Sequence, residues 1–224
     1  MTHAQHARIE SIQLEGPAGR LEALLNAGGE TPRYAAVVTH PHPLFGGTMH
    51  NKVVFHAMKA LNGFGIPVLR FNFRGVGLSE GEHDNGYGEV DDVRAALEYM
   101  KRRFKQPVIF AGFSFGASTG LRASCPDGDV IAAISIGTPM HADDRIYEYK
   151  FLQMCGKPKL FISGDHDQFA TPQELKALVE RVPEPKDLVL IDGGDHFFEG
   201  HLEEYRLAIE QWVRQTLFTD ATRQ

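Results

Sequence analysis

The pentapeptide Gly112-Phe113-Ser114-Phe115-Gly116 holds the residues best placed to do chemistry. It follows the apolar run Pro107-Val108-Ile109-Phe110-Ala111 and precedes the small-residue stretch Ala117-Ser118-Thr119-Gly120-Leu121. That order reads as strand, sharp turn and helix, with a serine at the apex. A serine there takes a strained backbone conformation, and its hydroxyl faces solvent where helix N–H groups can receive a developing oxyanion. Serine attacks a carbonyl only when an imidazole takes its proton, and the imidazole needs a carboxylate to fix its tautomer. On a turn of this kind the partners follow as Asp or Glu, then His. Asp165-His166-Asp167 comes directly after the buried-strand pattern Lys159-Leu160-Phe161-Ile162-Ser163-Gly164. Asp195-His196 comes just after Leu188-Val189-Leu190-Ile191. Both lie past the carboxyl ends of strands, where α/β sheets build their sites.

The elements that must hold these loops follow from periodicity. Residues 9–14 and 20–25 alternate apolar and polar around Gly16-Pro17-Ala18-Gly19, predicting an antiparallel hairpin at a sheet edge. Strands are predicted over 34–39, 67–73, 107–111, 130–136, 159–164 and 188–191. Helices are predicted over about 51–62, 88–104, 172–182 and 202–217, with another after Ser114. Thr171 with Glu174 three residues on forms a capping box. Strands alternating with helices predict an α/β fold: a mostly parallel twisted sheet with helices on both faces. The chain reads as one domain over 1–224, with no repeat or interdomain linker. About twenty residues (137–158) separate two of its strands, room for a minimal cap of one or two short helices over an open, shallow site.

Composition narrows the partners. At 224 residues with 42% hydrophobic content the chain can bury a sizeable sheet, and its net charge of −6 is mild. Lys101-Arg102-Arg103 suits the end of a helix, so no nucleic-acid surface is expected. Cys125 and Cys155 are too few and too far apart for a zinc or redox motif, and they do not suggest a disulfide scaffold. Met1 to Arg8 are polar with no apolar signal region after them, and no apolar stretch approaches the roughly 20 residues of a membrane span. A cytoplasmic protein without membrane partners is the expectation. Gly75-Val76-Gly77-Leu78-Ser79-Glu80 fails the dinucleotide fingerprint at its third glycine. His40-Pro41-His42 is not followed by the Asp and His of a metallo-hydrolase motif. Neither a cofactor nor a metal is expected.

Taken together, His40-Pro41-His42-Pro43-Leu44-Phe45-Gly46-Gly47, Asn72-Phe73-Arg74-Gly75-Val76-Gly77-Leu78-Ser79, the Ser114 turn, Gly164-Asp165-His166-Asp167 and Gly194-Asp195-His196 resemble the α/β-hydrolase superfamily. The likeness is strongest to small bacterial hydrolases with almost no lid, akin to dienelactone hydrolase, and spans about 34–212. It implies Ser114 as nucleophile and His196 as base, with His201 the weaker rival. Asp165 and Asp167 compete for the acid. The family pattern, Gly-x-x-Asp ahead of a helix-initiating proline, favours Asp167. Phe115 is expected to supply one oxyanion N–H. Pro41 and Pro43 have none to give, which leaves His42, Leu44 or Phe45 for the other, and Leu44 best matches the family loop. Arg74 is expected to brace neighbouring loops. The implied activity is hydrolysis of small carboxylic esters or lactones through an acyl-enzyme. The alternatives are an acyl thioesterase and a non-catalytic binding protein with a vestigial triad.

Overall fold

The computed structural model describes residues 9–142 and 145–219. The expectations for Met1 to Arg8 therefore lie outside the described residues. The chain opens with the hairpin β1 (Ile9–Gly16) and β2 (Gly19–Asn26), followed by β3 (Ala35–Thr39), α1 (Lys52–Asn62), β4 (Val68–Phe71) and α2 (Gly88–Phe104). Then come β5 (Val108–Phe113), α3 (Phe115–Ser124) and β6 (Val130–Ile136). The short strands β7 (His141–Ala142) and β8 (Arg145–Ile146) precede β9 (Lys159–Gly164), α4 (Pro172–Glu180), β10 (Lys186–Ile191) and α5 (Leu202–Leu217).

Eight strands form one sheet in the order β1-β2-β4-β3-β5-β6-β9-β10. The β1–β2 and β2–β4 pairs are antiparallel, and every pair from β4 to β10 is parallel. This is the α/β architecture expected from the alternation of strand and helix patterns. Strands buried on both faces read as continuous apolar runs, and their alternate residues feed two separate cores. Val37, Phe110 and Phe161 pack with Leu97, Met100, Leu121 and Val179, so α2, α3 and α4 cover one face. Val38, Phe113 and Ile162 pack with Val54, Leu61, Ile209 and Trp212, so α1 and α5 cover the other.

From β3 the chain steps to β4 on one side and then to β5 on the other. The carboxyl ends of β3 and β5 thus flank a crevice where the winding reverses, the place where open α/β sheets bind ligands. Arg74, fixed by Asp92 (2.7 Å) and by the Gly88 carbonyl (2.7 Å), ties the loop after β4 to the first turns of α2.

One local expectation is extended and another corrected. The segment between β6 and β9 contains one short helix, the 3₁₀ turn Lys150–Met154, and adds the β7–β8 hairpin. Two-residue strands are too short to leave a periodic signal. Cys125 and Cys155 are joined as a disulfide, although 30 residues separate them. Crossover connections in a parallel sheet bring distant segments back to one end, so spacing along the chain is a poor guide to proximity there.

Candidate active site

The turn after β5 holds Ser114 at φ 56° and ψ −120°, a conformation that side chains rarely adopt. Its backbone N–H donates to the Ile136 carbonyl (2.8 Å), which anchors the turn to β6. Close approach of the chain on either side is also required: a Cβ on Gly116 would sit 2.4 Å from the His40 carbonyl oxygen. Gly116 thus lets the start of α3 lie against the loop that follows β3.

Ser114 Oγ lies 2.9 Å from His196 Nε2, and His196 Nδ1 lies 2.8 Å from Asp167 Oδ2. A carboxylate only accepts, so Nδ1 carries the proton and Nε2 is the acceptor for the serine hydroxyl. His196 and Asp167 are both buried, at 2% and 4% exposure, so their attraction is little screened by water. Asp195 shapes the base loop by accepting from the N–H groups of Phe197 (3.0 Å) and Glu199 (2.9 Å). Acid and base loops meet at Gly164, where a Cβ would come 2.0 Å from the Gly194 carbonyl oxygen.

The rival residues lie elsewhere. Asp165 binds by its N–H to Ile191 (3.1 Å), and its buried Oδ1 has no hydrogen-bond partner among the described residues. His201 caps α5 and faces Glu204 at 3.2 Å.

On the other side of the crevice, Phe115 N–H starts α3 and has no acceptor among the described residues. Leu44 does not join it. Its side chain is 68% exposed, and its N–H donates to His42 Nδ1 at 3.2 Å. The cause is the 3₁₀ turn Pro43–Phe45, which His42 caps with its own ring. The N–H groups of Phe45 (3.2 Å) and Gly47 (3.1 Å) both donate to the His42 carbonyl. The His42 ring packs against Phe115 and Phe45 at centroid distances of 4.8 and 4.9 Å.

His40, at the end of β3, is fully buried: Nδ1–H donates to the Pro41 carbonyl (2.7 Å), and Nε2 accepts from Phe73 N–H (3.0 Å). Burial pushes its pKa down to about 4, against the smaller opposing pull of the Pro41 carbonyl. His40 is thus hydrogen-bonded to the loop that follows β3.

A cavity of about 220 Å³ opens over Ser114 and His196, walled by the rings of Phe45, Phe115, Phe169 and Phe197 among others. Its polar lining includes His42, Asn51 and Tyr147, and among the described residues no Lys, Arg, Asp or Glu lines it. Pro139, Ala142 and Tyr147 bring the cap segment to its edge. A larger hollow of about 310 Å³ between that segment and α4 shares Tyr147 with it and contains no nucleophile–base pair. Among the described residues no group of three or more His, Cys, Asp or Glu is placed to hold a metal ion. Nor is any described helix long and apolar enough to cross a membrane.

Two contacts of the acid escaped sequence reasoning. Ser163 Oγ–H donates to Asp167 Oδ2 (2.8 Å), and Phe169 N–H donates to Asp167 Oδ1 (2.8 Å). The one available hint was a hydroxyl following the apolar run Leu160-Phe161-Ile162 of β9. The Phe169 contact runs through the backbone, which leaves no mark on residue type.

Known proteins share this arrangement of elements. A model of the alpha/beta hydrolase domain matches residues 37–207. A lidless serine hydrolase from Xanthomonas campestris is 34% identical, with a TM-score of 0.84 over 97% of this chain and 98% of that one. A serine hydrolase homologue from Coxiella burnetii is 36% identical, with a TM-score of 0.83 over 90% and 96%. An uncharacterized protein of Rickettsia prowazekii is 36% identical over 212 residues, covering 92% of this chain and 89% of the other.

Proposed function

The chain belongs to the alpha/beta-hydrolase family, and from that premise we propose that it is a serine hydrolase cleaving small carboxylic esters or lactones through an acyl-enzyme. The reading is carried by one observation: the two hydrogen bonds running from Ser114 Oγ through His196 to Asp167 at the floor of the cavity. In this mechanism His196 Nε2 takes the Ser114 proton as Oγ attacks the ester carbonyl. Asp167 holds the imidazole in position and balances the imidazolium that forms. The oxyanion is received by Phe115 N–H and by a donor from the loop after β3. We assign that second donor to His42, which lines the cavity, and not to Leu44, whose N–H is engaged by the His42 ring. His196 then protonates the leaving alkoxide, and water resolves the acyl-enzyme with the same histidine as base.

Size supports the substrate class. At about 220 Å³ the cavity is too small to enclose a long chain. Each buried methylene contributes up to about 0.8 kcal/mol, but only while protein covers it. Across p-nitrophenyl esters, kcat/KM is expected to rise over the first few acyl carbons and then level or fall, with about two to six carbons preferred. A steady rise to palmitoyl below the micellar limit would move the reading to a long-chain thioesterase or lipase. Stoichiometric fluorophosphonate labelling at Ser114 is the direct test. Folded protein that takes no label would favour the non-catalytic binding alternative.

A further inference from the structure

We propose that Ser163 is a positioning residue for the catalytic acid, setting the direction in which Asp167 presents its carboxylate to His196. The inference rests on the serine-hydrolase reading above and adds a fourth side chain to its machinery.

Ser163 is the penultimate residue of β9, a strand buried along its whole length, and is itself 1% exposed. A hydroxyl in such a place is costly unless it is bonded. Its partner is Asp167 Oδ2, at 2.8 Å, the same oxygen that faces His196 Nδ1 at 2.8 Å. Oδ1 accepts from Phe169 N–H at 2.8 Å. The carboxylate thus has three donors, and each constrains a different motion. Phe169 N–H holds Oδ1 but leaves the group free to pivot about that contact. Ser163, fixed by the parallel pairing of β9 with β10 opposite Leu190, stops the pivot. Without it, His196 alone would orient Oδ2, although His196 is the group that Oδ2 has to orient.

Charge points the same way. The Asp167 side chain is fully buried, so a lone pair vacated by Ser163 finds no solvent to replace it. A competing effect has the opposite sign: removing one donor concentrates charge on Oδ2 and strengthens its pull on the imidazolium. Loss of direction outweighs it, because a buried carboxylate short of a partner turns to recover one.

The test replaces Ser163 and reads a quantity that a packing defect would not move. Ser163→Ala is expected to lower kcat by about 10- to 100-fold, the range for a hydrogen bond to a charged group, with KM within about twofold. The fluorophosphonate labelling rate is expected to fall by the same factor, since labelling also needs His196 to activate Ser114. Ser163→Thr and Ser163→Val match in shape and differ in the hydroxyl, so Thr is expected to recover most of the loss and Val none. The low-field proton resonance of His196 Nδ1–H is expected to move or broaden in Ser163→Ala. Should that variant fail to fold, Ser163→Cys keeps the volume with a weaker donor and supports the same measurements. Unchanged kcat and labelling rate in a folded variant would overturn the role of Ser163 alone. A loss shared equally by Thr and Val would do the same. Wild-type protein that neither labels nor turns over esters would overturn the serine-hydrolase reading and this role with it.

Discussion

His40 and His196 stand at carboxyl ends of the same sheet, are 0% and 2% exposed, and each has both ring nitrogens engaged. Their partners set them apart. His40 is bound between two backbone groups, the Pro41 carbonyl and the Phe73 N–H, which satisfy one neutral tautomer and nothing else. His196 sits between a carboxylate and a hydroxyl, so a proton arriving at Nε2 meets a negative charge across the ring. A buried histidine whose far nitrogen faces a carboxylate is equipped to take up a proton, and one held between backbone groups is not.

The sharpest way to break this contrast is to remove each side in turn. Ser114→Ala and His196→Ala are expected to lower kcat by roughly 10⁴–10⁶ with the fold intact, and Asp167→Asn by about 10⁴. His40→Gln is expected to leave kcat within about tenfold in the folded fraction while lowering stability by about 1–3 kcal/mol. Ester turnover and chemical denaturation on the same preparations check both. Retention of more than about a tenth of wild-type kcat by Ser114→Ala would remove the nucleophile assignment.

The second effect is on stability against pH. The folded pKa of His40, about 4, lies below its ordinary 6.5, so between these values the unfolded chain binds the extra proton. The contribution of neutral His40 is therefore complete above pH 6.5 and is lost as pH falls toward 4. It amounts to roughly 3 kcal/mol. Urea unfolding at pH 7 and pH 4.5 is expected to show a steeper acid loss in wild type than in His40→Gln. Parallel slopes would mean that His40 is not the neutral strut described.

Smaller still is the expected effect of Asp165→Asn, a loss of less than about tenfold in kcat, because Asp165 makes no contact with His196; the reverse ranking of Asp165 and Asp167 would transfer the acid role. The smallest expected effect is none: EDTA treatment followed by desalting should leave kcat unchanged, since the nucleophile is a side chain. Activity lost to EDTA and restored by zinc or manganese would return the histidine and aspartate loops to consideration as a metal site.

The main elements were legible in the sequence because strands buried on both faces and amphipathic helices differ in period. Helix 88–104 and strand 130–136 fall where their patterns end, and Thr171 with Glu174 forms the full capping box. Ser114 was legible through its glycines, and the acid and base loops through their places after apolar runs. The oxyanion side was not, because a 3₁₀ turn capped by His42 redirects the Leu44 N–H, and no spacing rule encodes that rotation. Ser163 and Phe169 act through one hydroxyl and one amide.

The Phe169 carbonyl accepts from the N–H groups of Met140 (2.9 Å) and His141 (3.2 Å), while its own N–H holds Asp167. An insertion before His141 would pull on the acid through that single residue. An insertion between β7 and β8 hangs beyond the tether and leaves it alone. An engineer grafting a lid onto this scaffold to change its substrate range would therefore open the chain at the hairpin and keep 137–141 as the hinge plate.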